Sequence, residues 1–142
     1  MPETILVPID LSHVGAKVLD TARELAELHD AKMIVMTVLP IVPAIVSVYL
    51  PSYEPQEVEN ESIDAMKSRL KEKGMDVNGY EFVARHGVPY DEIIKYADEI
   101  KADLIVVGSH SPTVSDYLLG STAAKIVRHA NCSVHVVRNR KS

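Results

Sequence analysis

Five short apolar runs, each separated from the next by a stretch of helical periodicity, constrain the fold of this chain most strongly. The runs occupy residues 5–9, 33–39, 80–84, 104–107 and 134–137 and are rich in β-branched side chains. Continuous apolar strands of this kind are typical of a parallel sheet covered by helices on both faces. The pattern predicts an α/β protein with five parallel strands.

Four helices are predicted between these strands from apolar residues three or four positions apart. Their inner faces are predicted to contain Val14, Val18, Ala22 and Leu25; Ile63, Met66 and Leu70; Ile93, Ala97 and Ile100; and Ala123, Val127 and Ala130. The predicted end signals are Ser12 as cap of the first helix, Gly74 after the second, Pro89 opening the third and Gly120 or Ser121 capping the fourth. Strict alternation favours a doubly wound sheet, whose ligand site lies beyond the carboxyl ends of the strands.

The composition indicates one ordinary globular domain, residues 1–142, with a formal net charge of −5 and a single cysteine, Cys132. The absence of a basic patch argues against nucleic acid and anionic membranes as partners. The longest apolar stretch, "VLPIVPAIVSVYLP", is interrupted by prolines, so membrane insertion is not expected. The lone cysteine and the lack of signal-peptide features favour a cytoplasmic location.

One segment, residues 40–55, is longer than most connections and is predicted to be irregular. Its apolar content favours either a lid over the ligand or a contact surface.

Several common binding and catalytic sites are not expected, because the sequence motifs that they require are incomplete or missing. The stretch "GMDVNGY" has the glycine spacing of a P-loop but lacks its Lys and Ser/Thr, and no dinucleotide fingerprint follows the first strand. No pair of histidines has metal-ligand spacing, and no nucleophile elbow occurs. Neither a zinc centre nor a catalytic triad is expected.

A phosphate-binding helix start is the chemistry that the pattern does favour. The backbone N–H groups of Gly120, Ser121 and Thr122 are expected to point out of the fourth helix, where they can bind an anion without lysine. Gly108, at the end of the fourth strand, leaves room for a ligand to approach the backbone. Each feature also has a plainer interpretation that involves no ligand. In that interpretation Gly108 serves to turn the chain, Ser121 to cap a helix and Asp10 to form a turn or cap.

The chain resembles the universal stress protein family in three segments. They are "ILVPIDLS", "HGVPYDEIIKYADEIKADLIVVGSHSP" and "DYLLGSTAAKIVRHANCSVHVVR", and together they extend over essentially the whole length. The resemblance implies an adenine nucleotide α-hydrolase-like (Rossmann-like) fold with strand order 3-2-1-4-5. It also implies a homodimer formed through the last strand, residues 133–138.

In nucleotide-binding members of that family the motif is G-x2-G-x9-G-[ST], and Gly108, Gly120 and Ser121 match its outer positions. Ser111 replaces the second glycine, eight residues instead of nine separate it from Gly120, and Pro112 removes one backbone donor.

The resemblance implies roles in ATP binding for nine residues. Asp10 would face the adenine or ribose, Pro8 would shape the first turn, and the Val38 backbone would hydrogen-bond to the adenine edge. The ribose and inner phosphates would be contacted by Gly108, His110 and Ser111. The outer phosphates would be held by Gly120, Ser121 and Thr122. His110 could instead only support the loop. Asp116 is a solvated loop residue unless Mg²⁺ lies between it and the phosphates.

We therefore expect an ATP-binding stress-response protein that acts as a nucleotide-occupied dimer, without catalytic residues and with Mg²⁺ as an optional companion of the nucleotide. The loop supplies none of the lysine, arginine or water-orienting groups that phosphoryl transfer uses. The alternative is a nucleotide-free interaction protein that binds a transporter or enzyme through residues 40–55. A nucleotide-transferring enzyme related by fold is disfavoured, because its "HIGH" and "SGGxDS" signatures are missing.

Overall fold

The computed structural model describes residues 3–11, 15–50, 52–109 and 119–138. Its centre is a parallel sheet with the order β3-β2-β1-β4-β5. The strands are β1 (Thr4–Pro8), β2 (Lys32–Leu39), β3 (Glu81–His86), β4 (Leu104–Gly108) and β5 (Ser133–Val137). This architecture confirms both the predicted fold class and the strand order.

In the described residues, five α-helices connect the strands: α1 (Ala16–His29), α2 (Ala44–Tyr49), α3 (Pro55–Glu72), α4 (Pro89–Ile100) and α5 (Ser121–His129). A short 3-10 turn, Val77–Gly79, precedes β3. Pro89 opens α4 and Gly74, with φ of 81°, follows α3, as their sequence positions predict.

The hydrophobic core has two halves, one on each face of the sheet. Alternate residues of β1 enter opposite halves, since Ile5 and Val7 pack on one side and Leu6 on the other. Helices α1 and α3 cover the first half, and α4 and α5 cover the second. Three of the four predicted inner faces are therefore confirmed in their described residues.

Three predictions about the helices are wrong. Residues 40–55 are not wholly irregular, because they contain α2. Val127 is exposed, and Ile126 is buried in its place beside Ala123, because the inner face of α5 follows an i, i+3 step. Gly15, not Ser12, is the N-cap of α1, and Ser12 and Val14 themselves lie outside the described residues.

Within the described ranges, no helix combines the length and the apolar character needed to cross a bilayer.

Candidate functional site

The carboxyl ends of β1 and β4 meet where the strand order reverses. Strand β1 lies between β2 and β4, and Leu6 pairs with Ile105 in the ladder that joins β1 to β4. Two residues beyond Leu6 is Pro8, and three residues beyond Ile105 is Gly108, so both lie at the same sheet edge. In doubly wound sheets this edge is where ligands bind.

The first side of the site is formed by β1 and β2. The Ile9 N–H donates to the Met36 carbonyl at 2.8 Å, which extends the sheet one residue beyond Pro8 and places the exposed Asp10 just above it. Val38 lies two residues beyond Met36, is partly buried and pairs with Arg85 of β3. The structure thus brings Pro8, Asp10 and Val38 to one edge.

The second side is the start of α5, which a hydrogen bond fixes against β4. The Gly120 N–H donates to the Ser109 carbonyl at 2.7 Å, and the Ser109 N–H donates to the Val137 carbonyl at 2.9 Å. One expectation is therefore wrong: the N–H of Gly120 is not available to bind an anion, because it donates to the Ser109 carbonyl.

The remaining donors at this helix start are suited to an anion. The first bond within α5 runs from the Ala124 N–H to the Gly120 carbonyl, so the N–H groups of residues 121–123 precede it. The first turn contains no acidic residue, and no side chain caps it. Ser121 is exposed and Thr122 is partly buried, so their hydroxyls can add donors to a positive helix end.

Gly108 has a role in packing that its sequence position did not reveal. A Cβ atom built on Gly108 would lie 3.2 Å from Cγ2 of Val18 in α1. The glycine therefore lets α1 approach the end of β4 closely, in addition to any contact it makes with a ligand.

Two predicted residues, His110 and Ser111, lie outside the described residues, as do Pro112 and Asp116. Their roles stay predictions.

Two cationic residues that the sequence did not single out lie next to this edge. The Arg69 guanidinium of α3 donates a hydrogen bond to the Leu11 carbonyl, just after Asp10. Arg138 directly follows Val137, whose carbonyl accepts the Ser109 N–H. Arg69 and Leu11 are 58 residues apart in the chain, so the local sequence gives no indication of their contact.

A chain of three polar side chains lies at the carboxyl end of the edge strand β3. Nδ1 of His86 is 2.7 Å from Oε2 of Glu59, and Nε2 is 2.6 Å from the hydroxyl oxygen of Tyr53. Because an ionised carboxylate only accepts, Nδ1 carries a proton, and in the neutral ring Nε2 accepts the Tyr53 O–H. These bonds tie the segment before α3, and α3 itself, to the sheet.

No group of three or more His, Cys, Asp or Glu residues with metal-binding geometry occurs in the described part of the chain. The arrangement there offers backbone donors, hydroxyls and a helix end, which can hold an anionic ligand.

An open sheet of order 3-2-1-4-5, with a helix start at its switch point, defines a doubly wound protein of the Rossmann-like nucleotide-binding class. The chain belongs to the universal stress protein family, which it matches over residues 1–138.

Individual relatives agree with this assignment over nearly the full chain. Universal stress protein G of Escherichia coli O157:H7 is 29% identical over 144 residues, which cover 97% of this chain and 100% of the relative. Universal stress protein MJ0531 of Methanocaldococcus jannaschii is 32% identical over 143 residues, 96% of this chain and 82% of the relative. Among solved structures, the crystal structure of a universal stress protein in complex with cAMP superposes on this chain with a TM-score of 0.68. The two sequences are 25% identical, and the superposition covers 98% of this chain and 99% of the other.

Proposed function

We propose that this universal stress protein binds ATP at the carboxyl edge of the sheet and acts in stress response through its nucleotide-occupied state. The observation that carries the proposal is the Gly120–Ser109 hydrogen bond of 2.7 Å, which holds the start of α5 beside the ends of β4 and β1. A related protein was crystallised with an adenine nucleotide, cAMP. That ligand supports an adenine nucleotide as the class of ligand here.

The described residues fit the two ends of such a ligand. Pro8, Asp10 and Val38 would face the adenine and ribose, while Ser121 and Thr122 would bind the phosphates through N–H and O–H donors. Gly120 would shape the helix start without donating its N–H to the nucleotide, because that N–H donates to the Ser109 carbonyl. His110, Ser111 and Gly108 would complete the ribose and inner phosphate contacts.

Calorimetric titration of nucleotide-stripped protein with ATP, ADP, AMP and cAMP, each with and without Mg²⁺, tests the proposal. We expect ATP to bind with a micromolar dissociation constant, equivalent to about 8 kcal/mol. Thr122→Val, which removes a hydroxyl at nearly constant volume, should weaken binding, whereas Ser68→Ala on the exposed face of α3 should not. Failure of every nucleotide to bind at millimolar concentration would refute the proposal.

The bound nucleotide is proposed to be held and not turned over at ordinary enzyme rates. The donors at the start of α5, residues 121–123, are backbone groups and hydroxyls, which lack the charge and the water-orienting base that phosphoryl transfer uses. Steady ATP hydrolysis that is lost in Ser121→Ala would contradict this part of the proposal.

A homodimer formed through β5 is part of the same proposal. Strand β5 is at the border of the sheet and pairs with β4 alone among the described strands, so its outer backbone groups can pair with a second copy. Sedimentation at micromolar concentration should show an assembly of at least two chains, and a monomer there would exclude this contact.

A cytoplasmic location is proposed from the chemistry of Cys132. It is the single cysteine of the sequence and a free thiol, which fits a reducing compartment. Burial, followed by the nearby Asp98 carboxylate, raises the pKa of this thiol and makes it a poor nucleophile.

The second candidate function is a nucleotide-free interaction protein that binds a transporter or enzyme through residues 40–55. The observation that favours it is the exposure of large apolar side chains in and around α2. It takes the lead if the titrations show no nucleotide binding.

A further inference from the structure

An exposed apolar surface surrounds the short helix α2. We define the α2 surface as the side chains of Ile41, Ile45, Val48, Tyr49 and Leu50, which are between 48% and 79% exposed. Residues 40–53 contain no Asp, Glu, Lys, Arg or His. Contiguous uncharged surface of this kind is uncommon on a monomer and marks a site of contact.

The helix itself requires a partner. It has six residues, begins after Pro43 and has no side-chain cap. Isolated helices of this length are unstable in water, and their stability comes from packing an apolar face against another element. Val46 is partly buried, but Ile45, Val48 and Tyr49 are exposed, so most of the apolar surface of α2 is left for packing against an element outside the described core.

Both ends of the segment are attached to the sheet. At its start the Gly87 N–H donates to the Leu39 carbonyl at 2.9 Å, and at its end the Tyr53 hydroxyl lies 2.6 Å from His86. The segment is therefore held in place before any partner arrives, which lowers the entropy cost of binding.

We propose that the α2 surface is a self-association interface, on which the α2 surface of a second copy of the chain packs about a two-fold axis. A two-fold contact places uncharged surface against uncharged surface, so two chains of formal net charge −5 meet where repulsion is least. The flanking Glu54 and Glu57 disfavour an anionic membrane as the occupant.

The size of the surface agrees with this occupant. Five side chains of this kind expose on the order of 100 Å² each, so two copies would bury about 1,000 Å² in total, the lower limit of specific interfaces. The contact is separate from the β5 edge and uses none of the residues proposed to bind ATP.

The mass of the full-length protein in sedimentation equilibrium across the micromolar range tests the proposal. Ile45→Glu should weaken association at least about tenfold and halve the mass, from tetramer to dimer if β5 also pairs, or from dimer to monomer if it does not. Leu28→Glu is the matched control, because Leu28 is 75% exposed on the last turn of α1. Equal masses for the wild-type protein and Ile45→Glu would overturn the proposal, as would an equal loss in Leu28→Glu.

The two-fold geometry is tested separately by cross-linking in a Cys132→Ser background. Val48→Cys should form an intermolecular disulfide with its own copy on mild oxidation, and Leu28→Cys should not. If Ile45→Glu lowers the mass of the assembly but Val48→Cys forms no cross-link, the two-fold arrangement would be overturned. Calorimetry of Ile45→Glu with ATP should match the wild-type protein, so that failure of this interface and failure of nucleotide binding are distinguished.

Discussion

Gly108 lies against helix α1, and substituting alanine there can separate its role in packing from the role proposed for it in nucleotide binding. The new Cβ would lie 3.2 Å from Cγ2 of Val18, inside the roughly 3.5–4.0 Å at which two carbon atoms attract best. Overpacking of this degree should cost about 1 kcal/mol of unfolding free energy. Val18→Ala removes the colliding methyl group, so Gly108→Ala should cost close to nothing in that background.

The assay is urea unfolding of the wild-type protein, both single variants and the double variant, with calorimetric ATP titration of all four. A coupling energy of about 1 kcal/mol between the two positions is expected. If Gly108 also admits the nucleotide, ATP affinity should stay lowered about tenfold in both Gly108→Ala proteins, although the double variant has lost the clash. An equal stability cost in both backgrounds would refute the packing argument, and wild-type affinity in the double variant would refute the ligand role.

Three further predictions concern residues that fix neighbouring segments to one another or to the sheet. Gly87→Ala would place a Cβ 2.4 Å from Cγ of Glu92, on a residue whose φ is 151°. The clash and the backbone strain together should lower the free energy of unfolding, measured by urea denaturation, by about 2–4 kcal/mol. Full recovery of stability in the double variant with Glu92→Ala would show that φ contributes nothing. Two backbone N–H groups at the start of β1 lower the pKa of Asp103 below its ordinary 3.8, so this contribution to stability is present above that value and is lost as the pH falls through the lowered pKa. Urea midpoints of Asp103→Asn should therefore fall less steeply below about pH 4 than those of the wild-type protein, and parallel curves would contradict this. Tyr53→Phe removes the hydroxyl that contacts His86 and should speed deuterium exchange in α2 at a stability cost of about 1 kcal/mol; unchanged exchange would exclude this attachment.

The sheet could be predicted from the sequence because its three inner strands, β2, β1 and β4, are apolar runs that are largely buried. The border strands β3 and β5 are more exposed, and each keeps a shorter apolar stretch that marks it as a strand. Strand ends shifted by one or two residues, as at β3, which extends to His86. Helix α2 could not be predicted, because its apolar residues face solvent on most sides and therefore show no helical period. The error at Val127 has a related cause, since Ile126 and Val127 are both apolar and pattern alone does not choose between them.

Much of the candidate site followed from topology, since the ends of parallel strands share one edge. Pro8, Val38 and Gly108 needed no knowledge of side-chain contacts to be placed there. The occupation of the Gly120 N–H and the contacts of Arg69 and His86 could not be predicted, because they depend on distances between segments that are far apart in the chain.

The hydrogen bond between Gly120 and Ser109 bears on how far the sequence between these two residues can vary in length. This bond holds the end of β4 against the start of α5, so the position of neither element depends on the number of residues between Ser109 and Gly120. Doubling the length of such a loop costs only about 0.6 kcal/mol of closure entropy. The spacing of eight residues between Ser111 and Gly120, where the family motif has nine, is then a change that the scaffold tolerates. The loop of a relative with the longer spacing should be transplantable into this chain as a unit, with ligand preference carried by the loop and stability carried by the host.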